Sequence, residues 1–481
     1  MSDSVGKLLG SIAPSQERAS LFLERHGIVL LSIAAFLIPL KLLAAYIVII
    51  PLLSLWLFAR LPKPQLSPIL TPFLLYAAIA FVSSFFGLDP SRALRGLLSL
   101  VFFSLLVGYS SEVFGKPKGY YPLFFLLLAQ AIAAFQGAVF SAYPDFIHQL
   151  FPKMERLFLG RIAESGQMAL SLVLAFGLFL LLAKREKMRS PWPLLTLPKA
   201  GIGIEIVAAL FACLLFASLG FSFNLGIAGT QKLLLLGVAC LWIALSFGRS
   251  VAIFRSGEVA RAWRAFLCSF VIPAISVGAL VNLKRGPWVG IAVASVILLL
   301  RYERKLVLPL LAAALLAATL ISPVRARLAQ SSHDFFIYGG RNVIWQVGAE
   351  LAPRYPLGVG YKNSRVLREY SQQIPAELTH FHNNALNILV ESGWMALLAF
   401  AWWIIRIVRT GFKKEIYAGV LGTSVACAVI SWQVAGLVEY NAGDSEVLLV
   451  VYLALGLLVA IGKMAQDGRN AVSQNIGQAL G

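Results

Sequence analysis

Apolar residues run through this chain in blocks, not in the narrow stripes of a soluble fold. A helix crossing the hydrocarbon of a bilayer needs about 20 mostly apolar residues. Blocks of that kind lie at 26–40, 42–59, 66–86, 94–114, 120–140, 165–183, 201–220, 230–248, 265–283, 286–300, 306–322, 383–405, 416–437 and 447–463. The pattern predicts an all-α polytopic membrane protein with about 12–14 transmembrane helices, 26–40 and 286–300 being the shortest blocks. Pro39, Pro51 and Pro273 fall inside blocks, which membrane helices tolerate where neighbours bond the freed carbonyls. The stretch from Pro323 to His382 spans nothing, so the chain divides into 1–322, 323–382 and 383–481.

Composition agrees with that division. Apolar residues make up 59% of the 481 and charged residues 13%, about half the share of a soluble domain. This excludes a cytosolic enzyme, a disulfide scaffold and a disordered regulator. The net charge of +19 could suggest nucleic acid, but multi-span proteins collect Lys and Arg in cytoplasmic loops, and no nucleic-acid signature accompanies it. With the N-terminus inside, 25 of the 41 Lys and Arg fall in inner segments, which predicts both termini in the cytoplasm. Cys213, Cys240, Cys268 and Cys427 all sit in apolar runs without a CxxC, so buried free thiols are expected. No cleavable signal peptide is evident in residues 1–25.

Seven of the remaining cations lie between Pro323 and His382: Arg325, Arg327, Arg341, Arg354, Lys362, Arg365 and Arg368. The same segment is rich in Phe335, Phe336, Ile344, Trp345 and Val347, so it is expected to be ordered and to roof the membrane domain. Residues 341–351 carry apolar positions at helical spacing, Pro353, Pro356, Gly358 and Gly360 break it, and 364–373 could form a second short helix. His380 and His382 flank Phe381 at its end, where a histidine could serve as a general base or simply sit at the interface. No Cys and few carboxylates stand near them, so no metal site is expected. Arg285, Arg341 and Arg161 each stand at the outer start of a helical block, a placement suited to gripping pyrophosphate or to snorkelling. The acidic turn 439–446 could neutralise arginines across a cleft or be solvated.

The ordered set Lys284-Arg285-Gly286-Pro287-Trp288, Arg341-x3-Trp345, Pro356-x-Gly358-x-Gly360 and His382-Asn383-x9-Gly393 resembles the O-antigen ligase and polymerase superfamily of bacterial envelope glycosyltransferases. Lys284 and Ala396 depart from the family pattern. The resemblance implies a GT-C-like membrane fold in the bacterial inner membrane, with a large periplasmic, partly helical loop. It implies glycan transfer from an undecaprenyl-pyrophosphate-linked donor, without metal or cofactor, and with inversion. The acceptor would be the lipid A-core oligosaccharide for a ligase, as in lipopolysaccharide biosynthesis, or another lipid-linked glycan for a polymerase. On that resemblance His382 and Asn383 would be catalytic, and Arg285, Arg341, Arg161, His380 and Trp345 would bind substrate. Membrane lipids are the other expected partners, and nucleic acid is not. A transporter or flippase is the main alternative, but it calls for ionisable residues within spans, and the blocks are almost free of them.

Overall fold

Every apolar block becomes a helix, and among the described residues no strand occurs. The computed structural model describes residues 2–61, 67–143, 162–183, 203–222, 225–227, 229–336, 340–364, 378–413 and 419–480. In chain order the helices are α1 Ser2–Leu40, α2 Leu42–Arg60, α3 Thr71–Phe85, α4 Pro90–Phe114, α5 Tyr121–Ala142, α6 Ile162–Ala183, α7 Gly203–Gly220, α8 Gly229–Arg255 and α9 Val259–Phe266. A π-helical turn, Leu267–Val271, joins α9 to α10 Ile272–Val281. There follow α11 Arg285–Tyr302, α12 Val307–Leu320, α13 Ser322–Ala329, α14 Ser331–Phe336, α15 Arg341–Arg354, α16 Asn384–Gly411, α17 Gly419–Ala435 and α18 Ser445–Leu480.

Twelve spans among the described residues are long and apolar enough to cross a membrane. The two remaining expected blocks differ in form. Residues 304–320 and 322–336 make a pair bent by 85°, and α17 is a shorter apolar helix of 17 residues. The bend falls at Ile321, whose extended backbone precedes Ser322-Pro323. The buried centre is formed by α6, α17, α18 and the α9–α10 unit, whereas α8 is peripheral and α12 buries no residue.

Pro273 shows how the bundle tolerates a proline inside a span. A proline has no N–H for the carbonyl four residues back, here Ser269. The indole Nε1 of Trp242, on α8, donates to that carbonyl at 2.8 Å. In lipid no water could take its place.

Two expectations need correction. Cys268 and Cys427 are buried, but Cys240 is exposed on the outer face of α8 and Cys213 is half-buried; all four are free thiols. Cys240 lies on the least buried span, so its apolar surroundings are outside the protein. The spans also hold a buried ion pair, Arg264 Nη2 to Glu205 Oε1 at 3.4 Å. Paired charges joining α7 to α9 compensate one another in place of water.

Helix α11 packs closely on α17 through small residues. Gly286 and Gly290 stand four residues apart on α11, facing Ala435 and Ser431 on α17. A Cβ at Gly290 would run into the Ser431 carbonyl, and one at Gly286 would reach Ala435 O at 3.0 Å. Such small-residue faces let membrane helices approach closely. Gly290→Ile should therefore force α11 away from α17. We expect a loss of about 1–3 kcal/mol, the usual cost of overpacking, read as a lower thermal midpoint of the detergent-purified protein against wild type.

Candidate active site

Arg285 and Arg341 are each the first residue of a helix, α11 and α15. A helix start carries positive partial charge, so a guanidinium there calls for an anion. Both find a carboxylate. Arg285 Nη2 lies 2.8 Å from Asp334 Oδ2 on α14, and Arg327 Nη1 on α13 reaches the same oxygen at 2.8 Å. Arg341 Nη2 lies 3.2 Å from Glu439 Oε1, and its Nε donates to the Val438 carbonyl at 3.1 Å. Gly286 packs against Val438 as well, so the two helix starts meet around one turn. Arg285 feels the charges of Arg327, Asp334 and Arg341.

That turn, 436–444, joins α17 to α18 and is held by Asn384. Its Oδ1 accepts from the N–H groups of Asn441 and Ala442, both at 3.0 Å, and its Nδ2 donates to Asn441 Oδ1 at 2.9 Å. Its own N–H donates to the Gly436 carbonyl at 2.7 Å. The clamp presents Glu439 to His382, whose Nδ1 stands 3.4 Å from Glu439 Oε2. This is ion-pair distance, off the line of a good hydrogen bond, and both atoms are buried without another partner. His382 has φ 48°, a left-handed conformation that costs a non-glycine residue about 1–2 kcal/mol. Such strain persists only where the surroundings dictate it. Here Asn383 caps α16 by accepting from Leu386 N at 2.9 Å, and Asn387 Oδ1 accepts from Phe381 N at 3.2 Å.

His380 packs edge-on to His382, ring centres 4.4 Å apart, and lies 5.7 Å from the Tyr440 ring. Burial, with the neighbouring His382, pushes its imidazole down to about 4. Burial alone would raise the Glu439 carboxyl, but its contact with His382 and the charges of His382, Arg341 and Lys284 outweigh it and hold the group below its ordinary value. Burial and the neighbouring Glu446 push the Asp444 carboxyl up to about 7, against the pull of Lys362.

The floor comes from a break in α16. Gly393, at φ 84°, interrupts the helix and frees the carbonyls of Val390 and Glu391. Val359 N and Gly360 N donate to them, each at 2.9 Å, and Ser83 Oγ reaches Glu391 O at 3.3 Å. Gly358, at φ 88°, lies so close that a Cβ would strike the Glu391 carbonyl. On the other side Leu88 N donates to Val359 O at 2.9 Å. The Pro356-x-Gly358-x-Gly360 turn is thus pressed between α16 and the α3–α4 turn.

The structure therefore brings together Arg285, Arg341, His380, His382 and Asn383. Trp345 is beside them, but its Nε1 donates to the Phe381 carbonyl at 3.0 Å, which makes it a brace for the histidine turn. Arg161 lies outside the described residues, as does 365–377, most of the expected second short helix. Sequence reasoning missed Arg327, Asp334 and Asn384, and left Glu439 between two readings. The Asn383-Asn384 doublet before a helix was the one available signal. Among the described residues no group of three His, Cys, Asp or Glu could hold a metal ion.

The fold and this cluster together describe a multi-span helical membrane protein in which arginines, carboxylates and two histidines are gathered near one another. Residues 269–401 match the O-antigen ligase family, which supports kinship with the O-antigen ligase and polymerase superfamily, whose members are glycosyltransferase-like enzymes of lipopolysaccharide biosynthesis. The matched segment contains both arginines, Asp334 and the two histidines; Glu439 lies beyond it. No curated protein matches the chain.

The titrations have opposite signs. His380 has a lowered value, so its stability contribution is complete above about 6.5 and is lost as pH falls toward 4. Glu439 adds to that acid loss. Asp444 has a raised value, so its contribution is complete below about 4 and is lost as pH rises through 7. In thermal unfolding across pH 4–8, His380→Gln should flatten the acid limb and Asp444→Asn the limb approaching neutrality. Unchanged profiles would contradict these assignments.

Proposed function

We propose that the chain is an O-antigen ligase-like glycosyltransferase. It moves a glycan from undecaprenyl pyrophosphate to the lipid A-core oligosaccharide at the periplasmic face of the inner membrane, with both termini cytoplasmic. The observation that carries this reading is the chain of contacts from His382 through Glu439 to Arg341, with Arg285 at the next helix start. Glu439 beside Nδ1 favours the tautomer with its proton on that nitrogen, which leaves Nε2 to accept one. The acceptor hydroxyl gives its proton to Nε2 as its oxygen attacks the anomeric carbon. The bond from that carbon to the pyrophosphate oxygen breaks, with inversion. The leaving group is already a stable dianion or trianion, so arginines suffice to hold its charge and no metal is required. Each charge-assisted bond contributes on the order of 1.5–3 kcal/mol. The imidazolium that forms sits against Glu439, whose negative charge stabilises it.

With purified protein, a lipid-linked donor and lipid A-core acceptor, His382→Ala should lower transfer by about 10²–10⁴-fold, the usual worth of a general base. Arg285→Lys should impair donor use although charge is kept, because the planar fork is lost. Chelator should leave turnover unchanged. A capped core supports the ligase reading; a lengthened lipid-linked chain would make the protein a polymerase with the same residues. Wild-type turnover by the His382→Ala variant would remove that residue from the mechanism.

Topology has its own check. Ser331 is exposed, whereas Ser364 is buried and donates to Thr379 O. Ser331→Cys should react with an impermeant maleimide added to spheroplasts. Reaction only after the inner face is opened would invert the orientation.

A further inference from the structure

Asp334 sits between two guanidinium groups. One of its oxygens, Oδ2, is shared by two guanidinium groups at 2.8 Å each, as an oxygen of a phosphate would be. The two arginines are fixed independently of it. Arg327 Nε donates to the Leu283 carbonyl at 3.3 Å, and Arg285 Nη1 donates to the Arg327 carbonyl at 3.4 Å. The carboxylate, by contrast, rides on the six-residue α14, which buries no residue and leaves Phe336 70% exposed. Withdrawing α14 therefore breaks the edge-to-face contact of Phe335 with Trp345 but uncovers no buried residue of α14 itself, while moving Arg285 would disturb the packed α11–α17 contact.

We propose that Asp334 is a built-in competitor for phosphate at Arg285 and Arg327, and that Arg327 is a further cation of the donor site. Pyrophosphate enters by displacing the α14 carboxylate. The inference rests on the reading of Arg285 as a pyrophosphate ligand. The charge balance favours exchange. Among the described residues Lys284, Arg285, Arg327 and Arg341 stand around Asp334 and Glu439, four cations to two carboxylates, and removing the Asp334 charge makes that group more positive.

Binding of inorganic pyrophosphate to the detergent-purified full chain tests this by calorimetry. Asp334→Asn should bind about tenfold more tightly than wild type and Arg327→Gln about tenfold more weakly, each change amounting to one charge-assisted contact. Equal or weaker binding by Asp334→Asn overturns the proposal. If that variant does not fold, Phe336→Cys decides. Saturating pyrophosphate should change its rate of maleimide labelling as α14 shifts, and an unchanged rate counts against the proposal. Tighter binding by Asp334→Asn in a protein that transfers no glycan keeps the competitor and removes the glycosyltransferase reading. His382-dependent transfer with unaltered pyrophosphate affinity in Asp334→Asn does the reverse.

Discussion

A guanidinium at the first residue of a helix adds charge where the peptide dipoles already concentrate it, and this end of the molecule does so twice. Arg285 opens α11 and Arg341 opens α15. Neither could sit half-buried without an anion. The anions come from far away in sequence: Asp334 from α14 and Glu439 from the turn before α18. Satisfying the two helix starts therefore draws the roof segment and the C-terminal turn onto the end of α11. The histidine turn follows, because Glu439 has a second oxygen free to face His382.

The break at Gly393 solves the complementary problem on the backbone. A continuous α16 would use the Val390 and Glu391 carbonyls within the helix, and the roof would have nothing to bond. Breaking the helix offers both carbonyls to the N–H groups of Val359 and Gly360. In a membrane domain an unmade backbone bond is expensive, so the break and the glycine turn require one another. The spacing from His382 to Gly393 then has a physical content. It is the length of the half-helix with His382 at one end and the docking point of the Gly358–Gly360 turn at the other.

Much of this was legible from pattern. The blocks of apolar residues located the helices because lipid leaves the backbone few choices, and the 341–351 periodicity marked α15. Other features depend on distant partners and left no local trace. The carbonyl freed by Pro273 is met by Trp242, from another helix. Cys240 and Cys268 sit in equally apolar text, yet one faces outward and the other inward. Asp334 reads as an ordinary loop acid until Arg285 and Arg327 are placed on it, and nothing in the 439–446 turn separates Glu439, which meets Arg341 and His382, from Asp444 and Glu446. Asn384 shows the same limit: the text suggests a cap, and Asn383 is the cap, while its neighbour holds the turn that presents the carboxylate.

The two histidines illustrate why position near a site differs from fitness for a role in it. His380 is held neutral by burial and by its neighbour, and its Nε2 is buried without a hydrogen-bond partner. Protonating it would place a cation in a buried position beside His382, with the charge of Glu439 only partly offsetting that cost. His382 touches the carboxylate directly. In the proposed reaction its gain of a proton turns a charge–dipole contact into an ion pair at the moment the pyrophosphate takes up negative charge beside Arg285 and Arg341. Glu439 bridges the two events, since one of its oxygens meets the base and the other meets an arginine. A carboxylate shared in this way holds His382 and Arg341 in fixed relation, so that in the proposed reaction proton removal and leaving-group stabilisation would occur across a single preorganised contact rather than at two independently moving groups.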